Sequence, residues 1–404
     1  MSSPEPAALA GLGVSIAGDG RAVTLARKLL RSLGATDGHD AMVALRGEPE
    51  EWPGLPAGTL EVAAAYLTAA GALLAALTGS PVEIRRDEAT ACVLLPELVA
   101  LLHGQPEPPP AEPIAFAGGW VAAELGGDAD RERFEVLLEV ARDAGMDVDG
   151  LVAEAQLWRL PVLPYSQLVE TGSGPPISAV VVGERPPLAA PAAGRAPLDG
   201  VTICDLTAMW AGPAATEAAA ALGATVVKVE PSVRPDGLRA HGGHSAAAPS
   251  PFFCALNGRK SRADLDLRSP DDRRRFNELL AESDVFVESL SPRARRNLGL
   301  EPADLRRHYP TLATASLKAF PAGPRREWVG FGTGVHAALG LGGDEPAAPL
   351  VSYPDPLAGL ALLVGLLAQV RAARLGLVVD VEATLAGAAT PLSSPVDQIS
   401  LVAQ

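Results

Sequence analysis

The second half of the chain alternates short apolar segments with alanine-rich ones, and this alternation restricts the possible folds strongly. The predicted strands are Val201 to Leu206, Thr225 to Glu230, Asp284 to Glu288 and Leu312 to Leu317. Helices are predicted between them, from Ala211-Gly212-Pro213 onward and over Asp271 to Ser283. Parallel strands need long crossover connections, which helices supply. The pattern therefore predicts an α/β fold with a Rossmann-like parallel sheet and crossover helices.

Size and charge limit the partners. The chain has 404 residues and a formal net charge of −15, which is enough for two domains or one large composite domain. An acidic protein repels nucleic acid, so we predict no nucleic-acid partner. An anionic ligand would need a local basic patch to overcome the repulsion from the net negative charge.

Patterns typical of metal, disulfide or membrane proteins are weak. The three cysteines are far apart, and His241 and His244 lie in a segment without Cys or carboxylate at ligand spacing. We therefore predict no metal site. No signal peptide opens the chain, and apolar runs such as Val62 to Leu77 are shorter than a membrane span. We expect a cytoplasmic protein without a membrane partner.

Two stretches rich in Pro, Gly and Ala suggest the domain organisation. They are Gly104 to Pro113 and Pro186 to Pro197, and the second is the better boundary. We predict one domain over residues 1–190, which carries a smaller α+β domain at about 104–185, and a second domain over residues 198–404.

The two halves share an internal repeat. Gly365 to Thr384 aligns without a gap on Gly71 to Thr90, with Glu-Ala-Thr at the end of both segments. In a second register, Leu222 to Thr225 aligns on Leu33 to Thr36. Both ends of one template are thus present twice, which predicts a degenerate internal duplication.

The most informative motif is Ser352 to Gly359, in which Asp355 stands between two prolines. Pro356 suits the first position of a helix, so we predict that a helix begins there with Asp355 as its N-cap. Taken alone, this is ordinary capping chemistry. In the repeat Asp355 falls on Glu61, without the prolines, so we predict that Glu61 begins the corresponding helix and carries no chemistry.

Short motifs follow one another through the second half of the chain in a constant order. They are Leu198-Asp199-Gly200-Val201, Asp205-Leu206-Thr207, Ala211-Gly212-Pro213, Leu222-Gly223-Ala224, Val227 to Pro231, Leu256-Asn257, Leu265-Asp266-Leu267, Asp284 to Glu288, Leu298-Gly299-Leu300 and Asp355 to Gly359. In order and spacing they resemble the class III CoA-transferase family, the CaiB/BaiF group that includes formyl-CoA transferase. Gly119 to Val121, Arg131 to Ala144 and Leu160 to Pro164 resemble the smaller domain of that family, which here precedes the nucleotide-binding half.

The resemblance implies a reaction for Asp355. In the family an Asp attacks an acyl-CoA thioester and forms a mixed anhydride, and a carboxylic acid then exchanges in before the CoA thiolate attacks again. This is nucleophilic catalysis in two easier steps. The partners implied are an acyl-CoA and a small carboxylic acid, with CoA as a substrate and no tightly bound cofactor. Two chains interlock in the family, so a homodimer is possible here.

The resemblance also implies residues that contact CoA. Met209, Trp210 and Ala211 follow the first strand, where the family wraps the CoA near the carboxyl end of the sheet. Arg268 lies where the family has a basic residue near the CoA phosphates, and Lys318 matches a lysine of the formyl-CoA transferase branch. Such cations suit phosphates because they supply charge-assisted donors.

The sequence departs from the family at several positions. The Asn-Phe-x-Pro-Gly run that contacts CoA in the family is Ser289 to Arg293 here, and a nearby basic position is Asn297. The three arginines nearby, Arg293, Arg295 and Arg296, are candidates to compensate. Racemases of the family use a His that falls on Phe331 here, and His336 lies five residues later.

Three functional hypotheses follow. The first is a CoA-transferase that works through an Asp355 anhydride. The second keeps the fold but isomerises, dehydrates or cyclises a thioester. The third is a catalytically silent, CoA-transferase-like binding subunit.

Overall fold

The computed structural model describes residues 7–49, 51–53, 55–104, 112–166, 175–245, 248–342 and 346–393. Most of the predicted boundary at Gly104 to Pro113 therefore lies outside the described residues. Three β-sheets are present in the described part of the chain.

A small parallel sheet organises the first hundred residues. Its elements and those packed on it are β1 (Gly13–Ala17), α1 (Gly20–Ser32), β2 (Thr36–Asp37), β3 (Ala41–Arg46), α2 (Thr59–Thr78), β4 (Val82–Arg85), α3 (Arg86–Val93) and α4 (Leu95–His103). The strand order is β2-β1-β3-β4, and every pairing is parallel. One crossover helix is α1, which buries six residues on one face, including Leu25 and Leu29.

A small α+β unit follows and has its own core. It consists of β5 (Ile114–Phe116), β6 (Gly119–Ala123), α5 (Asp128–Asp143), α6 (Val148–Leu157) and β7 (Val162–Pro164). The three strands are antiparallel. Phe134 and Leu137 of α5 and Leu151 of α6 are buried against the sheet. The motifs that resemble the smaller domain of the family thus fall on β6, α5 and β7.

The large sheet contains the predicted Rossmann-like strands. Its first elements are β8 (Ile177–Glu184), β9 (Thr202–Leu206), α7 (Ala211–Ala221), β10 (Thr225–Val229), α8 (Pro251–Asn257), β11 (Ser261–Ala263), α9 (Pro270–Glu282) and β12 (Val285–Glu288). The remaining ones are α10 (Pro292–Asn297), α11 (Pro302–His308), β13 (Ala313–Lys318), α12 (Gly332–Ala338), α13 (Pro354–Arg374), β14 (Leu377–Thr384) and α14 (Leu385–Ala389). The strand order is β11-β10-β9-β12-β13-β14-β8, parallel except for β8. The α/β prediction is confirmed.

The edge strand β8 lies on the far side of the predicted linker. It pairs with β14 through seven residues, from Ile177↔Ala383 to Leu377↔Glu184. The large sheet therefore takes one strand from before Pro186, although we predicted that the smaller domain extends to about residue 185. The domain division at 190 and 198 stays a prediction.

Helices α2 and α13 form the centre of the core and pack against each other. Both are long and apolar enough to cross a membrane, so our expectation about the length of these runs was wrong. Most of each helix is buried inside the protein. Gln369 is one of the buried polar residues of α13, and its amide donates to the Thr314 and Val379 carbonyls at 2.8 and 2.7 Å.

The two parallel sheets share their topology. Without β8, β11 and β12, the large sheet has the order β10-β9-β13-β14, which corresponds to β2-β1-β3-β4. Backbone contacts correspond as well: Leu9 N–H donates to the Leu33 carbonyl and Leu198 N–H donates to the Leu222 carbonyl, at 2.7 and 2.9 Å. These observations support the duplication, which stays a prediction.

Candidate active site

A cavity of about 750 Å³ opens at the carboxyl ends of β9, β10, β12 and β13, the usual ligand side of a parallel sheet. The structure brings all six residues singled out from the sequence to its wall. They are Met209, Trp210, Ala211, Arg268, Lys318 and Asp355. Their roles stay predictions, whereas their convergence on one cavity is a feature of the fold.

Asp355 lies in the first turn of α13, and the predicted N-cap position was wrong. The helix begins at Pro354 rather than Pro356, because a proline is tolerated throughout the first turn, where N–H groups have no partner in the helix. The Asp355 carboxylate instead accepts a hydrogen bond from the Ser352 hydroxyl at 2.8 Å and one from the Gly332 N–H. Burial raises the pKa of Asp355 to about 6, although these hydrogen bonds oppose the shift.

Gly332 is required for this contact. A Cβ at this position would overlap both the Ser352 hydroxyl and Asp355 Oδ2. The absence of a side chain thus lets the first turn of α12 approach the carboxylate closely, which is a common use of glycine at ligand and active sites.

A second carboxylate, Glu124, reaches the same turn from the N-terminal half. It follows β6, and its two oxygens accept hydrogen bonds from the Thr333 and Gly334 N–H groups at 3.1 and 2.7 Å. Loss of water contact raises the pKa of Glu124 to about 7, and the Asp355 charge adds to the shift while the N–H groups oppose it. Sequence reasoning missed Glu124, because no motif connects it to residues about two hundred positions away. The only signal was an acidic residue directly after an apolar strand.

The loop after β9 is held in place by buried ion pairs. Met209 has a φ of 66°, which is strained for a residue with a side chain. Its N–H donates to Asp236 Oδ1 at 3.0 Å, and Lys228 bridges Asp236 and the Thr207 carbonyl at 2.9 and 2.8 Å. These contacts stabilise the strained backbone that forms one wall of the cavity.

The adjacent Asp205 anchors the same loop. Burial alone would raise the pKa of Asp205, yet Lys260, Lys228 and the hydroxyls of Thr207 and Thr216 lower it to about 2. Asp205 is therefore a structural carboxylate that stays ionised.

Lys318 is buried in an ion pair. Its ammonium group donates to both Glu288 oxygens at 2.6 and 2.7 Å and to the Leu290 carbonyl at 2.7 Å. It therefore fixes the segment that departs from the family, Ser289 and Leu290, against the end of β13. Burial lowers the pKa of Lys318, and Glu288 opposes this shift.

The basic groups at the open side of the cavity are more exposed. Arg268 forms a bidentate pair with Asp266 at 2.8 and 2.9 Å and keeps 76% of its side chain exposed. Arg234, which sequence reasoning did not single out, is also exposed and lines the cavity. Together they supply the local basic patch that an anionic ligand needs in this acidic chain.

Two of the arginines proposed to compensate for the departures make other contacts. Arg295 pairs with Glu288 and Glu301 at 3.5 and 3.1 Å, and Arg296 pairs with Glu327 at 2.8 Å. Among the described residues, the wall of the cavity includes none of the three arginines and not Asn297. The proposed compensation by these arginines therefore stays a prediction, and Arg295 and Arg296 would have to leave their present partners.

His336 is buried behind the site. Its Nδ1 lies 2.9 Å from the Tyr353 hydroxyl, and its ring packs on Tyr165. Phe331, at the position of the racemase His, lines the cavity while His336 does not. His241 packs on the rings of Trp210 and Phe252. Within the described residues, no group of three or more His, Cys, Asp or Glu side chains is arranged to hold a metal ion.

A buried carboxylate beside a cavity at the carboxyl edge of a parallel sheet defines an α/β protein with a site suited to nucleophilic chemistry. Comparison with known families then identifies the class. Residues 198–398, just under half of the chain, match the model of CoA-transferase family III. The resemblance found in the sequence is thereby confirmed.

The curated relatives are CoA-transferases by name. The match to succinyl-CoA:glutarate CoA-transferase of Mus musculus is 33% identical over 195 residues, which are 46% of this chain and 44% of the relative. The match to (R)-2-hydroxy-4-methylpentanoate CoA-transferase of Clostridioides difficile is 29% identical and covers 42% of this chain and 46% of the relative. The chain thus spans a little under half the length of these relatives.

Solved structures also match the chain in part. A CAIB/BAIF family protein from Brucella suis is 26% identical, with a TM-score of 0.43, over 48% of this chain and 55% of that one.

Proposed function

We propose that this protein is an enzyme that transfers CoA between carboxylic acids through a mixed anhydride on Asp355. The observation that carries the proposal is the buried Asp355 carboxylate on the wall of a 750 Å³ cavity, next to the residues expected to contact CoA. The match to the family model and the names of the relatives support it.

The reaction follows from the chemistry of this carboxylate. Asp355 Oδ attacks the thioester carbonyl, the C–S bond breaks, and the electron pair leaves with the CoA thiolate. The carboxylate of the acceptor acid then attacks the Asp355 carbonyl of the anhydride and displaces the donor acid as its carboxylate. The thiolate finally attacks the new acyl carbonyl, which forms the new thioester and releases Asp355 as a carboxylate. The Gly332 N–H, which hydrogen-bonds Asp355 in the resting state, is placed to stabilise charge on the reacting oxygens.

CoA would enter from the open side of the cavity. Arg234 and Arg268 are exposed there and offer charge-assisted donors to its phosphates. The Met209 to Ala211 loop would lie along the ligand, as the family resemblance implies. CoA acts as a substrate in this scheme. A cytoplasmic location and a homodimer stay predictions.

One side of the cavity favours an apolar acyl group. Its wall includes Leu317, Phe331 and Leu385. Two cations close in sequence to Leu317 and Phe331 are already held in ion pairs. Lys318 pairs with Glu288, and Arg326 forms a bidentate pair with Glu382. A second carboxylate on the substrate would lose water beside cations that are already paired. We therefore expect monocarboxylic acids with apolar chains to be better substrates than dicarboxylic acids.

The test is a transfer assay with a panel of CoA thioesters and acids. Isovaleryl-CoA and butyryl-CoA are compared with succinyl-CoA as donors, each with acetate, isovalerate and glutarate as acceptors. We expect a kcat/KM at least tenfold higher for the apolar donors and complete loss of transfer in Asp355→Asn. The exposed Asp143→Asn variant serves as the control. Unchanged transfer in Asp355→Asn would overturn the proposal, while a preference for succinyl-CoA would overturn only the substrate class.

A further inference from the structure

The N-terminal half contributes a carboxylate to a site that the family match assigns to the second half. Glu124 lies outside residues 198–398, yet both of its oxygens accept hydrogen bonds from α12. A Cβ on Gly334 would lie 3.1 Å from Glu124 Oε2 and 2.7 Å from Leu163. Position 334, like position 332, thus suits glycine because a side chain approaches it closely.

Glu124 and Asp355 bind successive N–H groups of one turn. Asp355 accepts from Gly332, and Glu124 accepts from Thr333 and Gly334. Adjacent peptide units hold the two carboxyl groups near each other; Asp355 is buried and Glu124 is half-buried. The repulsion between two negative charges in such a site raises the free energy of ionising the second carboxyl group. The pair therefore retains one proton when the first member ionises.

We propose that Glu124 is a positioning residue of the Asp355 site: it holds the first turn of α12 so that the Gly332 N–H faces Asp355, and it keeps the proton of the pair while Asp355 is ionised. This inference rests on the proposed function for its catalytic consequence. The pKa values of about 6 for Asp355 and about 7 for Glu124 agree with that order of ionisation.

The proton on Glu124 keeps the charge of the site constant during acylation. When Asp355 becomes an anhydride, its negative charge leaves with the CoA thiolate. Burial still favours the protonated form, but the Asp355 charge that added to the raised pKa of Glu124 is then gone. Glu124 therefore gives its proton to the CoA thiolate and takes it back when the thiolate attacks the new acyl group. The pair carries one negative charge before and after the step, and no additional charge has to be shielded from water.

Other titratable groups around the pair must be considered in any titration. Tyr165, which follows β7, faces Glu124, and the Glu112 charge acts on the same tyrosine. His336 and Tyr353 lie behind the turn and contact each other. On the cavity side, Lys318 and Arg326 are held in ion pairs with Glu288 and Glu382.

The first test does not depend on turnover. The Glu124 side-chain carboxyl is labelled with ¹³C in the full chain, assigned by its loss in Glu124→Gln, and titrated by NMR. We expect its pKa to fall by at least one unit in Asp355→Asn relative to the wild type. An unchanged pKa in Asp355→Asn would overturn the coupling. Because this measurement requires no substrate, it tests the coupling between Glu124 and Asp355 even if the proposed function is wrong.

The second test measures acylation in a single turnover. The release of CoA from an acyl-CoA is followed in the wild type, in Glu124→Gln and in the exposed control Glu132→Gln. Thr333 and Gly334 each donate to a different oxygen of Glu124, and Gln replaces one of these oxygens with an NH2 donor. We therefore expect Glu124→Gln to slow acylation at least tenfold while the Kd for acyl-CoA changes less than threefold. The control should match the wild type. Equal acylation rates in Glu124→Gln and the wild type would overturn the positioning role, whereas no CoA release by the wild type would overturn the proposed function.

Discussion

Asp355 combines two requirements that usually oppose each other in a nucleophile. It is buried, which raises its pKa to about 6 and makes it more basic, and it receives hydrogen bonds from Ser352 and Gly332, which keep its charged form accessible at neutral pH. Asp205, in contrast, is surrounded by lysines and its pKa falls to about 2. Environment thus separates the proposed nucleophile from a structural carboxylate.

The raised pKa of Asp355 predicts a pH dependence. Attack requires the ionised form, so the acylation rate should rise with pH around a midpoint near 6. Stability should change in the opposite direction. The ionised form of Asp355 is disfavoured in the folded state, so its contribution to the free energy of unfolding falls as pH rises from about 4 to about 6, by about 3 kcal/mol at most. Urea unfolding of the wild type and of Asp355→Asn at a series of pH values measures how much Asp355 contributes to the free energy of unfolding. If the two proteins differ by the same free energy at every pH, the raised pKa of Asp355 is contradicted.

Lys318 was expected to contact CoA. Because it is buried in an ion pair with Glu288, we also expect its removal to destabilise the fold. In Lys318→Ala the Glu288 carboxylate loses its main partner, which should lower the free energy of unfolding by about 3–5 kcal/mol. The double variant Lys318→Met/Glu288→Gln removes both charges and should recover most of this loss. Denaturant unfolding of the single and double variants measures both values. A Lys318→Ala variant with wild-type stability would show that the pair is not important for folding.

At the level of single elements, the repeat predicted that α2 begins at Glu61, whereas the helix begins two residues earlier, at Thr59. Glu61 lies in the first turn of α2, as Asp355 lies in the first turn of α13. The chemistry of the two positions differs, because Glu61 forms a buried ion pair with Arg86 and accepts a hydrogen bond from the Ala22 N–H. A neighbouring cation neutralises the carboxylate in the first copy, whereas in the second copy the carboxylate faces a cavity.

This comparison predicts a structural role for Glu61. Glu61→Ala leaves the Arg86 guanidinium buried without its partner, which should lower the free energy of unfolding by about 3 kcal/mol. Transfer activity per folded molecule should remain at the wild-type level. Unfolding curves combined with active-site titration separate the two effects. Loss of activity in a fully folded Glu61→Ala variant would show that the first copy takes part in the reaction.

Most strands and crossover helices of the second half could be predicted from the sequence, since each is a local pattern. The predicted strand Thr225 to Glu230, for example, is Thr225–Val229 in the structure. The start of α13 was predicted two residues late, because Pro354 and Pro356 both suit a first turn. Glu124 and the pairing of Lys318 with Glu288 could not be predicted, because each joins segments that only the tertiary fold brings together.

At the level of the whole molecule, the two halves share one core. The α2 helix packs on α13, and the Tyr66 hydroxyl of α2 donates to the Ala388 carbonyl at 2.9 Å. The edge strand β8 and the active-site carboxylate Glu124 also come from the first half. The N-terminal half therefore supplies both packing and a site residue to the second.

This dependence predicts that the matched half does not fold alone. A fragment that begins near Leu198 exposes the apolar face of α13 and loses β8, so it should aggregate or remain unfolded. Co-expression with residues 1–197 should restore solubility. Circular dichroism and size-exclusion chromatography of the fragment test this expectation. A stable and active fragment would contradict the proposed dependence on the first half.

The anhydride on Asp355 is the central claim, and trapping it is the most direct test. The full chain is mixed with an acyl-CoA that it turns over, quenched, and treated with hydroxylamine, which converts an aspartyl anhydride to a hydroxamate. Peptide mass spectrometry should place this modification on Asp355 in the wild type and find none in Asp355→Asn. A hydroxamate on another residue, or CoA transfer that proceeds without any trapped intermediate, would contradict the account.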